Sequence, residues 1–303
     1  MPYLFTCPHC QTKTQVDDRY SGQSGECVVC GSPIQLPEFG NAITGNIARS
    51  ASGKSKTVRW AAGAVVSAII LGCLLFAVIR FGGQSVSRLT ASRDQSMSIR
   101  NLQRIAEALN AYAADHGSYP PATVVDRSGR QLHSWRVLIL PYLDEQKLYN
   151  DIDLSVGWDD PINSAVLRRI PAVYSHPNSA KHGMDNQSGY YLVTGPGTLF
   201  PSTGPLGPDD IVDDPTQTIL VIEAMPKTET GSWTEPGDID FAAMQGTIGG
   251  DPTTEVGGLL DEGVAMVTTD GRGHFLPSST DPLILRSLMT PQGGERLPDD
   301  TLD

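Results

Sequence analysis

Cys7, Cys10, Cys27 and Cys30 are the residues of this 303-residue chain whose type and spacing specify a chemistry. Cys7-Pro8-His9-Cys10 and Cys27-Val28-Val29-Cys30 are two CxxC pairs separated by sixteen residues, inside the spacing of a four-thiolate zinc ribbon. Each pair bends so that its two sulfurs reach one metal at about 2.3 Å, and two such turns complete a tetrahedron with no open position. The expected cofactor is a structural Zn2+. Redox-active dithiols are the competing use of two CxxC pairs, and His9 is a possible replacement for one thiolate. Two matched knuckles favour one metal on four sulfurs, with His9 at the surface.

The elements that must position these sulfurs are short. Thr12, Thr14 and Val16 suit strands, and Gly31 directly after the second knuckle supplies the freedom that a tight turn needs. About forty residues bury little core, so metal binding is expected to supply most of the folding free energy of this segment. Lys13 and Arg19 are balanced by Asp17, Asp18 and Glu26, which leaves no electrostatic footprint for nucleic acid. A protein partner or a purely structural role is expected instead.

Residues 60–79 form an unbroken uncharged run rich in Val, Ile, Leu and Phe. At 1.5 Å rise per residue, about twenty helical residues match the roughly 30 Å hydrocarbon core of a bilayer, so a single crossing of the lipid bilayer is expected. The run separates two chemically opposite halves: residues 1–100 carry a net charge of +5, and residues 101–303 carry −17. Arg49, Lys54, Lys56 and Arg59 precede it while Arg80, Arg88 and Arg93 follow, a modest bias toward an inward N-terminus. Thiolates that hold a metal need a reducing compartment, whereas nothing beyond Cys73 can form a disulfide. The expected localisation is the cell membrane, single-pass, with the N-terminus cytoplasmic and the C-terminal domain outside. The boundaries follow as a zinc ribbon at 1–36, a Gly/Ser/Ala-rich flexible linker at 37–57, a transmembrane helix at 58–81, the outer domain at 82–297 and an acidic tail at 298–303.

Gly82-Gly83 is a candidate kink at the membrane exit, and residues 85–116 read as helix. Leu102, Ile105, Leu109 and Tyr112 recur at steps of three and four with Ala106 and Ala113 beside them. Arg100, Arg104, Glu107 and Asp115 lie off that stripe, so one face is expected to pack on a domain. Gly117 and Pro120-Pro121 end the helix.

The order of motifs that follows resembles the prepilin-like domain-of-unknown-function 1559 family. Asn101-Leu102, Ile105, Ala108-Leu109, Tyr112 and His116-Gly117-Ser118-Tyr119-Pro120-Pro121 are followed by Trp135-Arg136-Val137-Leu138-Ile139-Leu140-Pro141-Tyr142-Leu143. Later come Tyr190-Tyr191-Leu192-Val193-Thr194-Gly195-Pro196-Gly197-Thr198, Thr218-Ile219-Leu220-Val221-Ile222-Glu223-Ala224, Trp233-Thr234-Glu235-Pro236-Gly237-Asp238-Ile239, and Asp270-Gly271 before His274-Phe275-Leu276. The resemblance covers roughly residues 95–295. It implies an α+β, type II secretion pseudopilin-like shape, a long N-terminal helix laid on an antiparallel sheet, and no established chemistry. Typical members begin with a short basic leader and a Gly-Phe-Thr-Leu-Val-Glu-like cleavage motif, where this chain has a zinc ribbon, so prepilin-peptidase processing is not carried over. Leu260 stands where many members have a His ten residues before the Asp-Gly turn.

The local signals within the outer domain agree with that shape. Residues 134–143 read as a short buried helix broken by Pro141, followed by a second at 144–149, and 161–167 as another with Pro in its first turn. Residues 264–269 and 273–276 flank Asp270-Gly271 as a hairpin, and Asp281-Pro282 opens a last helix. Acidic Gly/Pro loops at 201–215 and 226–262 are either a binding surface or mobile.

No GxSxG elbow or HExxH helix occurs, and His116, His133, His176, His182 and His274 lack ligand spacing. Asp159-Asp160, Asp209-Asp210 and Asp213-Asp214 suit calcium or acid/base work, or are simply solvated. The leading expectation is a non-enzymatic membrane protein that displays an interaction or scaffold domain, with no catalytic residues and with protein partners rather than nucleic acid; any small-molecule ligand is unknown. The alternative is an extracytoplasmic calcium- or glycan-binding module or hydrolase, for which Trp158, Trp233 and the acidic loops are the motivation.

Overall fold

The computed structural model describes residues 3–38, 83–228, 230, 232–295, 297–298 and 301–302. Two compact units emerge, residues 1–72 and 73–303. The 60–79 run, with the linker before it, lies outside the described residues. Among the described residues no helix is long and apolar enough to cross a membrane.

The first unit is two β-hairpins. Strand β1 (Tyr3–Thr6) pairs antiparallel with β2 (Lys13–Val16), and β3 (Ser24–Glu26) with β4 (Pro33–Gln35). Each hairpin carries one CxxC at its tip, and the same turn closes both. Cys7 N–H donates to Thr12 O (3.0 Å) and Gln11 N–H to Cys7 O (2.9 Å); Cys27 N–H donates to Ser32 O (2.9 Å) and Gly31 N–H to Cys27 O (2.8 Å). Gln11 and Gly31 both sit in the left-handed region, at φ 62° and 68°. Gly31 is thus where the turn needs a residue without a Cβ, whereas Gln11 accepts the cost of that conformation.

The second unit is α+β. Helix α1 (Gly83–His116) runs for 34 residues and ends at Gly117, whose N–H caps Ala113 O at 2.8 Å. The described residues of this helix begin at Gly83, so the kink expected at Gly82-Gly83 lies at the edge of, and partly outside, the described residues. Leu102, Ile105, Ala106, Leu109 and Ala113 are buried, and Arg100, Arg104, Glu107 and Asp115 are exposed, as the three-four spacing implies. A hairpin follows, β5 (Thr123–Val125) with β6 (Gln131–Ser134), which has no clear sequence signature because no β-branched run marks β6. Ser134 then caps a helical turn at Trp135–Leu138, and Pro141 sits in a 3-10 turn at Leu140–Leu143. Asp144 adopts φ 64° and the next helix begins at Gln146, later than the expected 144.

The main sheet holds β7 (Tyr190–Tyr191), β9 (Ile219–Glu223), β11 (Gly263–Thr268) and β12 (Gly273–Pro277) in the order β12-β11-β9-β7, all neighbours antiparallel. A separate parallel pair joins β8 (Val193–Thr194) to β10 (Ile239–Asp240). Every residue of β9 and β11 is buried. Leu220, Val221, Ala265 and Val267 pack in the cluster containing the α1 stripe, while Ile222, Val264 and Met266 pack with Leu285, Leu288 and Met289 around the terminal helix Pro282–Ser287. Coverage of both faces explains why these strands read as unbroken apolar runs rather than alternating ones. Close approach of α1 is written into the sheet at Gly273, where a Cβ would lie 2.4 Å from Ile99 Cγ2.

The acidic loop at 226–262 contains a buried anchor. Glu255 is buried and its carboxylate accepts from the backbone N–H groups of Gln245 (2.6 Å), Gly246 (3.0 Å) and Thr247 (2.7 Å).

The helix-to-sheet contact is testable by contrast along α1. Leu109→Ala, at a site with no exposure, is expected to destabilise the protein by about 2–5 kcal/mol. Leu89→Ala, at a site 72% exposed, is expected to change stability by less than about 0.5 kcal/mol. Urea midpoints at constant m-value read both.

Candidate metal centre and buried polar networks

The knuckles bring the four thiols to one point. Cys7 and Cys27 are buried, Cys10 is half-buried and Cys30 exposed, and their sulfurs all lie within 4.8 Å of one another. Cys7 Sγ stands 3.9 Å from Cys30 Sγ, and Cys10 Sγ 3.7 Å from Cys27 Sγ. Four sulfurs at about 2.3 Å from a tetrahedral zinc lie about 3.8 Å from each other, so the spacing is that of ligands and not of disulfides. Four clustered cysteines could hold a metal ion such as zinc. His9 is exposed and no part of the cluster.

The backbone is arranged to favour thiolates. Cys10 is pushed down to about 6, chiefly by hydrogen bonding from Thr12. Cys27 is also lowered, first by the Cys30 and Val29 backbone amides. For Cys7 the Cys10 amide pulls downward, but burial and sharing with the Cys27 and Cys10 thiols leave it raised to about 11. Four bare sulfurs this close cannot all ionise together, and a divalent cation removes that conflict.

Two buried polar networks lie among the described residues of the second unit. Glu223, fully buried at the end of β9, accepts from Ser98 Oγ of α1 at 2.8 Å and lies 3.2 Å from His176 Nε2. His176 Nδ1 accepts from Asn178 N–H at 3.0 Å, which places the ring proton on Nε2, facing the carboxylate. Asn101 Nδ2 donates to Tyr190 OH at 3.1 Å beside them. Serine, histidine and glutamate therefore do meet, yet without solvent access.

Around Arg136 a second network forms. Its side chain is 1% exposed and lies 4.6 Å and 4.7 Å from the Trp135 and Tyr191 ring centres. Arg136 Nη1 donates to Ser134 Oγ (2.8 Å) and Nη2 to Tyr190 O (2.6 Å) and Asp238 Oδ1 (3.4 Å). The same Oδ1 accepts from Trp135 Nε1 (3.1 Å) and Leu192 N–H (2.9 Å). Burial pushes the Asp238 carboxyl up to about 6 against the pull of Arg136 and these donors.

Several of the other candidate residues have structural partners, although both ring nitrogens of the buried His133 lack a hydrogen-bond partner. Asp160 and Asp214 cap 3-10 turns at Ile162 N–H and Thr216 N–H, Asp210 accepts from Gly207 N–H, and Asp213 accepts from the Gly293 and Gly294 amides. His116 bonds Tyr112 O at 2.9 Å and stacks on the Tyr112 ring, and His274 bonds Leu302 O at 3.1 Å. Trp233, considered above as a glycan platform, is instead a core residue stacked on Tyr174. Glu223, Arg136 and Asp238 were passed over as interacting groups. For Glu223 and Arg136 the signal is a single charge beside or inside an apolar run, as in Ile219-Leu220-Val221-Ile222-Glu223, whereas Asp238 lies between Gly237 and Ile239 with Asp240 near and no such run.

Residues 91–258, more than half of the chain, match the family described as protein of unknown function (DUF1559), and the chain belongs to that family. No curated protein and no solved structure matches it.

Two outcomes follow. Purified protein is expected to hold one zinc per chain by elemental analysis, and Cys10→Ser to lose it while leaving unfolding of the second unit unchanged. For Asp238, a carboxyl raised in the folded state binds more protons there than in the unfolded chain between about pH 4 and 6, so its contribution to stability declines as pH rises through that window. The difference in unfolding free energy between Asp238→Asn and the parent protein should therefore change across pH 4–6 and be flat above pH 7.

Proposed function

We propose that this is a non-enzymatic, single-pass membrane protein: a structural zinc ribbon inside the cytoplasm contacts another protein, and the DUF1559 domain is displayed outside as an interaction or scaffold module. The observation that carries it is the four-thiol cluster, whose spacing matches a closed tetrahedral site and which needs a reducing compartment. The apolar run at 60–79 lies between that cluster and the acidic, cysteine-free remainder. A long helix on an antiparallel sheet is also the arrangement expected of a prepilin-like domain.

Support for the protein partner comes from the ribbon's own surface. A groove of about 520 Å³ beside the knuckles is walled by Phe5, Val16, Tyr20, Ile34 and Leu36, and its charged lining residues are Asp17 and Glu26 alone. Its complement is a segment with apolar side chains flanked by Lys or Arg. Support for the non-enzymatic reading is that the Ser98, His176 and Glu223 constellation is sealed. At least one carboxylate of each pair that suggested calcium (Asp160, Asp210, Asp213 and Asp214) is engaged by a backbone amide, which favours loop caps over that alternative.

Protease treatment of intact spheroplasts carrying a tag at each end tests the arrangement. Loss of the C-terminal tag with retention of the N-terminal one is the expected result. Loss of the N-terminal tag would invert the topology and place the four thiols where disulfides form.

A further inference from the structure

A second cavity, of about 470 Å³, lies over one face of the β5–β6 hairpin. Thr123 and Val125 of β5 and Gln131 of β6, the partner of Val125, line it, as do Phe200, Pro201 and Pro205 of the loop that follows β8. The volume falls in the range of small-molecule sites, and the lining mixes apolar walls with a few polar groups, as such sites do. Asp238 is the only ionisable residue in its lining.

Asp238 is unevenly satisfied. Oδ1 receives all three donors described above, from Trp135, Leu192 and Arg136, while Oδ2 is buried with no hydrogen-bond partner. The side chain as a whole is 2% exposed. A buried carboxylate oxygen without a donor is costly, and here it belongs to a residue that walls a ligand-sized space. Arg136 does not line that space; its guanidinium is held between the Trp135 and Tyr191 rings and divided among three acceptors. A ligand in the cavity therefore meets one carboxylate and no cation. Anionic groups are disfavoured, and a donor that carries positive charge gains most from the contact.

We infer that this cleft binds a small organic cation, an ammonium or guanidinium group whose N–H completes Asp238 Oδ2 while its carbon chain rests against Val125, Phe200 and Pro201. The site is independent of the zinc ribbon and of membrane topology, and it gives the outer domain a ligand class.

Full-length protein in detergent, titrated with n-butylammonium and followed by saturation-transfer NMR, tests the inference, with n-butanol and butyrate as neutral and anionic probes of similar shape. Saturable binding of butylammonium alone is expected. Asp238→Asn should weaken it about tenfold or more, the loss of one charge-assisted hydrogen bond. Ser202→Trp, at an exposed lining residue outside the Asp238 network, should block the cleft and decides the matter if Asp238→Asn fails to fold. Three results would overturn the proposal: butanol binding as tightly as butylammonium, butylammonium binding unchanged by the folded variants, or no saturable binding, in which case an ordered water is all that Oδ2 receives.

Discussion

Covering both faces of the four-stranded sheet is the constraint on which the larger unit depends. Strands β9 and β11 expose nothing, so each face requires its own layer: α1 on one side, and the terminal helix with its neighbouring loops on the other. The apolar stripe of α1 lies over β9, β11 and β12, and short pieces such as residues 135–143 complete that layer. Long connections are tolerated on the other side because buried polar anchors such as Glu255 satisfy their backbone amides.

Two-sided burial leaves nowhere for a charge to reach water, so the charges that remain inside are paired or bonded. Glu223 ties β9 to Ser98 of α1 and to His176, and Arg136 ties the segment after β6 to β7 and Asp238. Such groups add little net stability compared with apolar replacements, but removing one partner is strongly destabilising, so they reward a single packing arrangement of helix, sheet and loops. The same reasoning separates Glu223 from Asp238. Each keeps one carboxylate oxygen without a protein donor, but Glu223 sits between layers whereas Asp238 borders a cavity.

The ribbon solves the opposite problem. It has too few residues to enclose a core, and its buried hydrophobic residues are Cys7 and Cys27 themselves. Identical turns at the two hairpin tips gather four thiols that could hold a metal ion, which would supply the cohesion that apolar burial supplies elsewhere, and they leave Phe5, Val16, Tyr20, Ile34 and Leu36 along an open groove.

The sequence by itself determined the features that depend on neighbours along the chain: the CxxC spacing, the three-four stripe of α1 with its Gly117 stop, the apolar runs of β9 and β11, the Asp270-Gly271 turn, the Asp281-Pro282 cap and the family. The 60–79 run is legible in the same way, as composition. Only the tertiary structure decided which groups distant in the chain meet. Ser98 and Glu223 are 125 residues apart, and Arg136 and Asp238 are 102 apart. No local pattern marks such a pair, because the free energy that holds a buried charge comes from the loss of water and from partners delivered by other elements. Trp233 shows the same limit: an aromatic among turn residues reads equally as a surface platform or a core residue, and burial alone chooses between them.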